Sequence, residues 1–564
     1  MKKSLFFLII FIAFTLRFWN LGGYPALNAD EAALGYNAYS LIKTGKDEHA
    51  NPFPIHFQSF NDYKPGFYVY LAIPFVWLFG LNEWAVRIPG ALAGVGTVII
   101  LYWLIHVSFP NCRKFSILNF QFSLPELSAF LLAISPWHIH FSRGAWEVNV
   151  ATFFIILGVY FFLVYMKKEF NDANLFRFKF LLFSLICFVL SLYTYHASRV
   201  IVPLLVFGLA IFFRKILMLY WKKLIFPFAL SVFLLIPLII DFFGPAGISR
   251  ASGVGIFADP GPIARVNEQR GEHFHPNSFW AMSFHNKYVN YFLAFLQNYV
   301  DHFHGEFLFL SGDDIQRNKV PETGLLYGFE LLFIIIGLLQ IVNAKSIFSL
   351  SRNKNLGIIL CWLVVSPFAA ALTFQSPHAL RAQNMVVPLT IISSIGFYSI
   401  VNWIYENKNK IYFGFGCLLL ICVLCWSLFR YLHMYYKHMS YEYPYSSQYG
   451  VKELVDYLRE NHKDKKIVIT NFYDQPYILF LFYLKYDPYV FQNNHDLTPR
   501  DNFGFSTVSA FDRFIFEPID FYKTALEYPD SIIIGSPKEI PSEANIIKRI
   551  YGSNNFLYFL VVAN

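Results

Sequence analysis

The sequence predicts a multi-pass α-helical membrane protein with a small α/β domain at its C-terminal end, and three observations predict it. Of 564 residues, 56% are hydrophobic and 20% aromatic while only 15% are charged, more apolar side chain than a water-soluble core of that size takes up. The apolar residues fall in runs long enough to cross a hydrocarbon layer of about 30 Å. From about residue 440 the texture changes to short amphipathic and β-branched stretches.

The first run, 4–21, follows Met-Lys-Lys as a signal peptide would. No small-x-small cleavage site follows it, so it reads as an uncleaved first span. Further spans are expected at about 85–108, 126–142, 146–166, 179–195, 200–213, 224–243, 325–343, 356–374, 382–403 and 411–431, eleven in all. "PGFYVYLAIPFVWLFG", residues 65–80, is short and interrupted by Pro74, which suits a helix lying at the membrane interface.

Charge tests this count, since an extra crossing inverts every later loop. With a cytoplasmic N-terminus, the inner connections carry Arg113 and Lys114; Lys167, Lys168, Arg177 and Lys179; Arg214, Lys215, Lys222 and Lys223; Lys345, Arg352 and Lys354; and Lys408 and Lys410. The short outer turns hold one base each, Arg143, Arg199 and Arg381. The net charge of +8 is therefore distributed as topology requires, and a nucleic-acid partner is rejected. Three larger segments are left outside the cell membrane: 22–84, 244–324 and 432–564. None of them carries any of the six cysteines, so they need no disulfides.

Residues 1–431 thus read as a transmembrane domain and 432–564 as an extracytoplasmic α/β domain. In the latter, "VKELVDYLRENH" and "QPYILFLFYLKYDP" read as helices, and "KKIVIT", "SIIIGS" and "FLYFLVVAN" as strands. No glycine-rich phosphate loop follows a strand.

Ionisable residues collect at the outer ends of the spans: Asp30 and Glu31, Lys64, Arg143 and Glu147, His196 and Arg199, and His378 and Arg381. Singly, each has an ordinary explanation. An acidic pair in a helix's first turn complements the helix dipole, and an Arg or His at a span end snorkels to the headgroups. Five outer turns, however, each combine a cation or carboxylate with aromatics. No span carries an ionisable residue near its middle, as an ion-coupled transporter would. Transfer of a group from a lipid-linked donor fits such a face. A polyprenyl tail stays in the bilayer and its phosphate at the interface, where cations stabilise it as a leaving group. A carboxylate takes the proton of the attacking hydroxyl or amine.

The stretches "ADEAALGYNAYSLIKTG", "YKPGFYVYLAIPFVWLFGLNEWAVRIPGALAGVGTVIILYWL" and "SPWHIHFSRGAWEVNVATFFIILGVYFFL" resemble the bacterial family 39 glycosyltransferases of the GT-C membrane class. Protein O-mannosyltransferases and the lipid A aminoarabinose transferase belong to the same class. The resemblance covers best residues 20–200. It implies an inverting transferase with a polyprenyl- or dolichyl-phosphate sugar donor and a lipid, glycan or protein acceptor. It further implies Asp30 as the base, Lys64 of the "KP" pair at the donor phosphate and Glu147 as a second acidic residue; beside it, Glu31 and Glu147 are expected to orient the base or the acceptor, and Arg143, His196, Arg199 and Arg381 to complete a phosphate-binding set with Lys64. The alternative class is a lipid-glycan transporter or flippase.

Departures from the family also matter. The aminoarabinose enzymes have an acidic residue directly before the "KP" Lys, where Tyr63 stands here with Asp62 one step earlier. Nothing resembles the MIR domain of the protein mannosyltransferases. In the 244–324 loop, His273/His275 and His302/His304 form His-x-His pairs that in a strand would point to one side. With His378 they offer acceptor-binding or metal-ligating groups, against a reading as ordinary loop histidines, and a divalent metal stays open. Asp313 and Asp314 lack the fold of nucleotide-sugar enzymes and are read as coincidence or an Asx turn.

Overall fold

The computed structural model describes residues 2–60, 62–117, 120–167, 175–244, 255–342, 354–406, 410–444, 448–473, 475–499 and 506–564. Of the basic residues assigned to inner connections, Lys168, Lys345, Arg352 and Lys408 lie outside them. Among the described residues, seven helices are long and apolar enough to cross a membrane: Glu83–Ser108, Glu147–Met166, Ser198–Leu219, Trp221–Phe242, Lys354–Ala371, Gln383–Glu406 and Gly414–Glu442. Shorter apolar helices, Leu5–Phe18, Leu124–Ile134, Phe178–Thr194 and Glu330–Val342, fall on the other expected spans. Phe67–Phe79, with Pro74 inside it, falls on the stretch read as interfacial.

The expected single span at 126–142 is corrected: it is two helices, Leu124–Ile134 and Pro136–Ser142. Pro136 has no N–H to offer the Leu132 carbonyl four residues back, and the Trp137 N–H turns away to the Leu325 carbonyl at 3.0 Å. The Leu132 carbonyl keeps only the Ser135 N–H at 3.3 Å, and the carbonyls around the break take further donors. Arg17, fully buried, supplies two of them, with Nη2 donating to Leu132 O at 3.2 Å and Nη1 to Ala133 O at 3.0 Å. The Tyr327 hydroxyl donates to Ile134 O at 2.8 Å. Arg17 ends the Lys2–Phe18 helix, where a snorkelling role is the usual one; here it closes a broken helix instead.

The chain divides into two compact units. One comprises Met1–Phe18, Ala91–Ser142 and Glu147–Tyr431; the other comprises Trp19–Gly90, Arg143–Trp146 and Leu432–Asn564. The second unit contains a seven-stranded mixed sheet, in the order Ile546–Tyr551, Leu557–Ala563, Ile532–Gly535, Ile467–Thr470, Phe514–Glu517, Val508–Phe511 and His495–Leu497. Ile467–Thr470 runs parallel to both of its neighbours, and the other pairings are antiparallel. The two central strands "IVIT" and "IIIG" are buried at every position, which is why they read as uninterrupted β-branched runs in place of alternating ones. Val468, Ile533, Leu560 and Val562 form part of the core on one face. Val451–Asn461 and Pro476–Leu484 are the two helices expected from the pattern.

Candidate active site

The Ala29–Thr44 helix of the second unit places the acidic pair. Asn28 caps it, accepting from the Glu31 N–H at 3.0 Å, while the Glu31 carboxylate returns to the Asn28 N–H at 3.4 Å. This capping box satisfies two of the helix's orphan donors and fixes the first turn. Successive residues on a helix point about 100° apart, so the two carboxylates diverge.

Glu31 turns inward and is 2% exposed. Arg87, also buried, grips it with Nε to Oε1 at 2.8 Å and Nη2 to Oε2 at 2.7 Å. The remaining guanidinium hydrogens reach the carbonyls of Leu21, Pro25 and Ala26 at 2.9–3.2 Å, so all five donors are used. The Ala145 N–H donates to Glu31 Oε1 at 2.8 Å. Glu31 is thus the tie between the capped helix, the chain leading into it and the Arg143–Trp146 turn. That turn lies close against Gly90, where a Cβ would stand 2.6 Å from the Gly144 carbonyl oxygen.

Asp30 turns outward, and its side chain is 26% exposed. It is ion-paired with Lys64, 16% exposed. Lys64 sits on the Asp62–Pro65 strand, paired antiparallel with His56–Ser59 so that it faces Phe57 in register. Its ammonium also lies 5.2 Å from the centre of the Phe60 ring. Of the acidic pair, then, one carboxylate is consumed by structure and the other meets solvent beside a cation.

Arg143, grouped from sequence with the phosphate ligands, is 1% exposed. Its guanidinium lies 5.3 Å from each of the Tyr435 and Tyr436 ring centres. Nε donates to the Tyr435 hydroxyl at 3.2 Å and Nη2 to the Tyr24 carbonyl at 3.3 Å. A stacked, desolvated guanidinium of this kind packs a core as much as it carries charge.

Sequence reasoning passed over Glu48, which is fully buried in the same unit. Its N–H donates to Asn37 Oδ1 at 2.9 Å and its Oε1 accepts from Asn37 Nδ2 at 3.3 Å. Burial pushes its carboxyl up to about 8, with Asp47 adding to the rise and the Lys64 ammonium working against it. Burial pulls the neighbouring His49 down to about 4, helped by His495. Arg87 and Glu48 were the two residues most worth finding. A cation in the first turns of an apolar helix, against the dipole, was the available signal for Arg87; nothing local marks the burial of Glu48.

The other expected residues belong to the first unit. Glu147 opens the Glu147–Lys167 helix and is half-buried. Arg199 bonds His196, Nη1 to Nδ1 at 3.1 Å, and the Leu192 carbonyl at 3.3 Å. Arg381 donates to Thr373 Oγ1 at 2.7 Å. His302 and His378 are buried and joined: the His302 Nδ1–H donates to Asn298 O at 2.7 Å, and Nε2 accepts from the His378 N–H at 3.2 Å. Those two bonds require the neutral ring, and burial pulls its pKa down to about 4.

One expectation is corrected here. The His-x-His pairs do not lie on strands, since His302 follows the Lys287–Asp301 helix and His273 and His275 follow Gly261–Gly271. His273, His275 and His304 are exposed, while His302 is buried, so neither spacing aligns two ligands as a strand would. Among the described residues, no group of three or more His, Cys, Asp or Glu side chains is arranged to hold a metal. Asp313 forms the Asx turn, with Oδ1 accepting from the Ile315 N–H at 2.9 Å. It also anchors a second segment, its Oδ2 accepting from the Ala379 N–H at 2.6 Å and Asn318 Nδ2 at 2.9 Å.

The described helices and the C-terminal mixed sheet make a GT-C-like fold, which two solved proteins share. ArnT from Cupriavidus metallidurans, bound to undecaprenyl phosphate, is similar over 100% of this chain and 98% of its own, with a TM-score of 0.55 and 11% identity. The Archaeoglobus fulgidus oligosaccharyltransferase in its apo form is similar over 86% of this chain, with a TM-score of 0.51 and 16% identity. The chain spans 63% of the length of that archaeal enzyme. No protein-family model matches the sequence, and no curated protein does.

Proposed function

We propose that the protein transfers a sugar from a polyprenyl-phosphate donor to an acceptor at the outer face of the membrane, with inversion at the anomeric carbon. The observation that carries this reading is the Asp30–Lys64 pair: a solvent-reaching carboxylate and an ammonium held together at a helix N-terminus. Its setting supports it, because Glu31 is locked to Arg87 and the helix start cannot drift. The GT-C fold, and the lipid phosphate that ArnT binds, support the donor class.

In the reaction, the acceptor's oxygen or nitrogen attacks the anomeric carbon and gives its proton to the Asp30 carboxylate. The bond from that carbon to the phosphate oxygen breaks, and the electron pair leaves with the phosphate. Lys64, released from Asp30 as the carboxylate becomes neutral, stabilises the charge that develops there. Attack opposite the leaving group inverts the configuration. The reading includes eleven spans, a cytoplasmic N-terminus and the Asp30 unit outside.

Purified protein incubated with a panel of radiolabelled polyprenyl-phosphate sugars tests this. Transfer or hydrolysis of one of them is expected. No turnover with any, alongside tight binding of a nucleotide sugar, overturns the donor class; movement of the intact lipid-linked sugar between leaflets without bond cleavage establishes the flippase alternative.

A further inference from the structure

Between the Trp221–Phe242 and Glu330–Val342 helices the chain carries the Gly261–Gly271, Phe279–Phe284 and Lys287–Asp301 helices. On the last of these, Tyr288, Phe292, Leu296 and Val300 recur every four residues and so share one face. They are 76%, 59%, 39% and 60% exposed. Phe279 and Trp280 on the preceding short helix are 74% and 66% exposed. The contacts with Gly261–Gly271 are polar and satisfied: Arg270 Nε donates to the His285 carbonyl at 2.6 Å, and Asn290 Nδ2 to Gln269 Oε1 at 3.3 Å. The segment is two-sided, and its exposed side is aromatic and aliphatic. An apolar surface of this kind marks a partner.

Three observations identify the partner as lipid. The helix that carries the stripe is tied to a helix long and apolar enough to cross a membrane: the Tyr299 hydroxyl donates to the Val364 carbonyl at 2.8 Å, and the Phe295 and Tyr299 rings pack on Phe368 at 5.6 and 5.3 Å. Val364 itself is 51% exposed on that apolar helix. The composition, Trp280 on the short helix and Tyr288, Tyr291 and Tyr299 with Lys287 on the longer one, is that of interfacial helices. And the chain on either side of the segment runs in apolar helices.

We propose that the 279–301 segment is a lipid-seated platform, its Tyr288–Val300 stripe set into the boundary between headgroups and acyl chains. The stripe then lies about 5–10 Å into that boundary, and Arg265 and Glu268, ion-paired at 2.6 Å on the Gly261–Gly271 helix, stay in water. The loop is in this way a second membrane anchor for the unit that carries His302 and His378, and acceptors reach it along the membrane surface.

Photo-crosslinking tests the platform directly. The full-length protein is reconstituted into phosphatidylethanolamine–phosphatidylglycerol vesicles with p-benzoylphenylalanine at Phe292 or Val300. Phe429, exposed on an apolar helix, gives the lipid standard and Glu268 the aqueous one. Phospholipid adducts at 292 and 300 are expected at yields close to that at 429 and at least roughly tenfold above that at 268. Yields at 292 and 300 no higher than at 268 overturn the proposal, as does crosslinking of those positions to a second copy of the chain in place of lipid.

Discussion

Arg87 and Glu31 form a bidentate ion pair that is closed to water on both sides, Nε to Oε1 at 2.8 Å and Nη2 to Oε2 at 2.7 Å. Removing one partner leaves a buried charge uncompensated, a loss of about 3–5 kcal/mol. Arg87→Ala is accordingly expected to lower the unfolding temperature in detergent sharply. Arg87→Lys recovers little, because an ammonium cannot span both oxygens and three carbonyls. The double variant Glu31→Gln with Arg87→Met loses less than the sum of the singles. Additive losses would show that the pair is not a unit.

The Asp30–Lys64 pair behaves in the opposite way. Partly exposed, it contributes about 0–1 kcal/mol to stability, so Lys64→Met melts close to the parent protein. Its kcat/KM for the lipid-phosphate donor falls by about 10²-fold or more, as when one donor to a developing anion is removed. Steady-state kinetics beside a melting curve separate the two effects; a large loss of stability with unchanged kinetics would make Lys64 structural.

Glu48 sets a pH dependence of stability. Its carboxyl is held at about 8 in the folded protein against an ordinary 4.5, so the unfolded chain releases this proton first. Stability from this group is complete below about 4.5 and declines as pH rises to about 8, by on the order of a few kcal/mol. His49, held at about 4 against an ordinary 6.5, acts with the reverse sign between those values. Of these two groups, only Glu48 acts in the window from about 6.5 to 8. Melting curves across it should slope downward for the parent and flatten for Glu48→Gln; equal slopes would place the buried proton elsewhere.

Asp313 is expected to be a structural anchor and not a nucleotide-sugar ligand. Asp313→Ala strands the Ala379 N–H and the Asn318 amide, a loss of about 1–3 kcal/mol for each buried group left unpaired. The melting temperature reports this, and isothermal titration with nucleotide sugars should show no binding to either the parent or the variant.

Much of this was legible in the sequence, and the exceptions have physical causes. Asp30 and Lys64 announce themselves because charge is scarce here and both stand beside helix-start or "KP" signals. The strands "IVIT" and "IIIG" could be read because a buried parallel strand is apolar throughout. The break at 135 carried a signal, Pro136, which a hydropathy run conceals. That Arg17 would close the break was not legible, since its partners lie more than a hundred residues away. Burial likewise divided the acidic pair and withdrew Arg143 among Tyr24, Tyr435 and Tyr436. Such partners come from distant segments, and periodicity carries no record of them.

The central claim is that Asp30 takes the acceptor's proton, and one comparison tests it most directly: single-turnover sugar transfer from a polyprenyl-phosphate donor by the parent protein and by Asp30→Asn, with donor affinity measured on the same samples. The amide keeps the shape and cannot take a proton, so donor binding should persist while transfer falls by about 10²–10⁴-fold. Full transfer by Asp30→Asn would contradict the account.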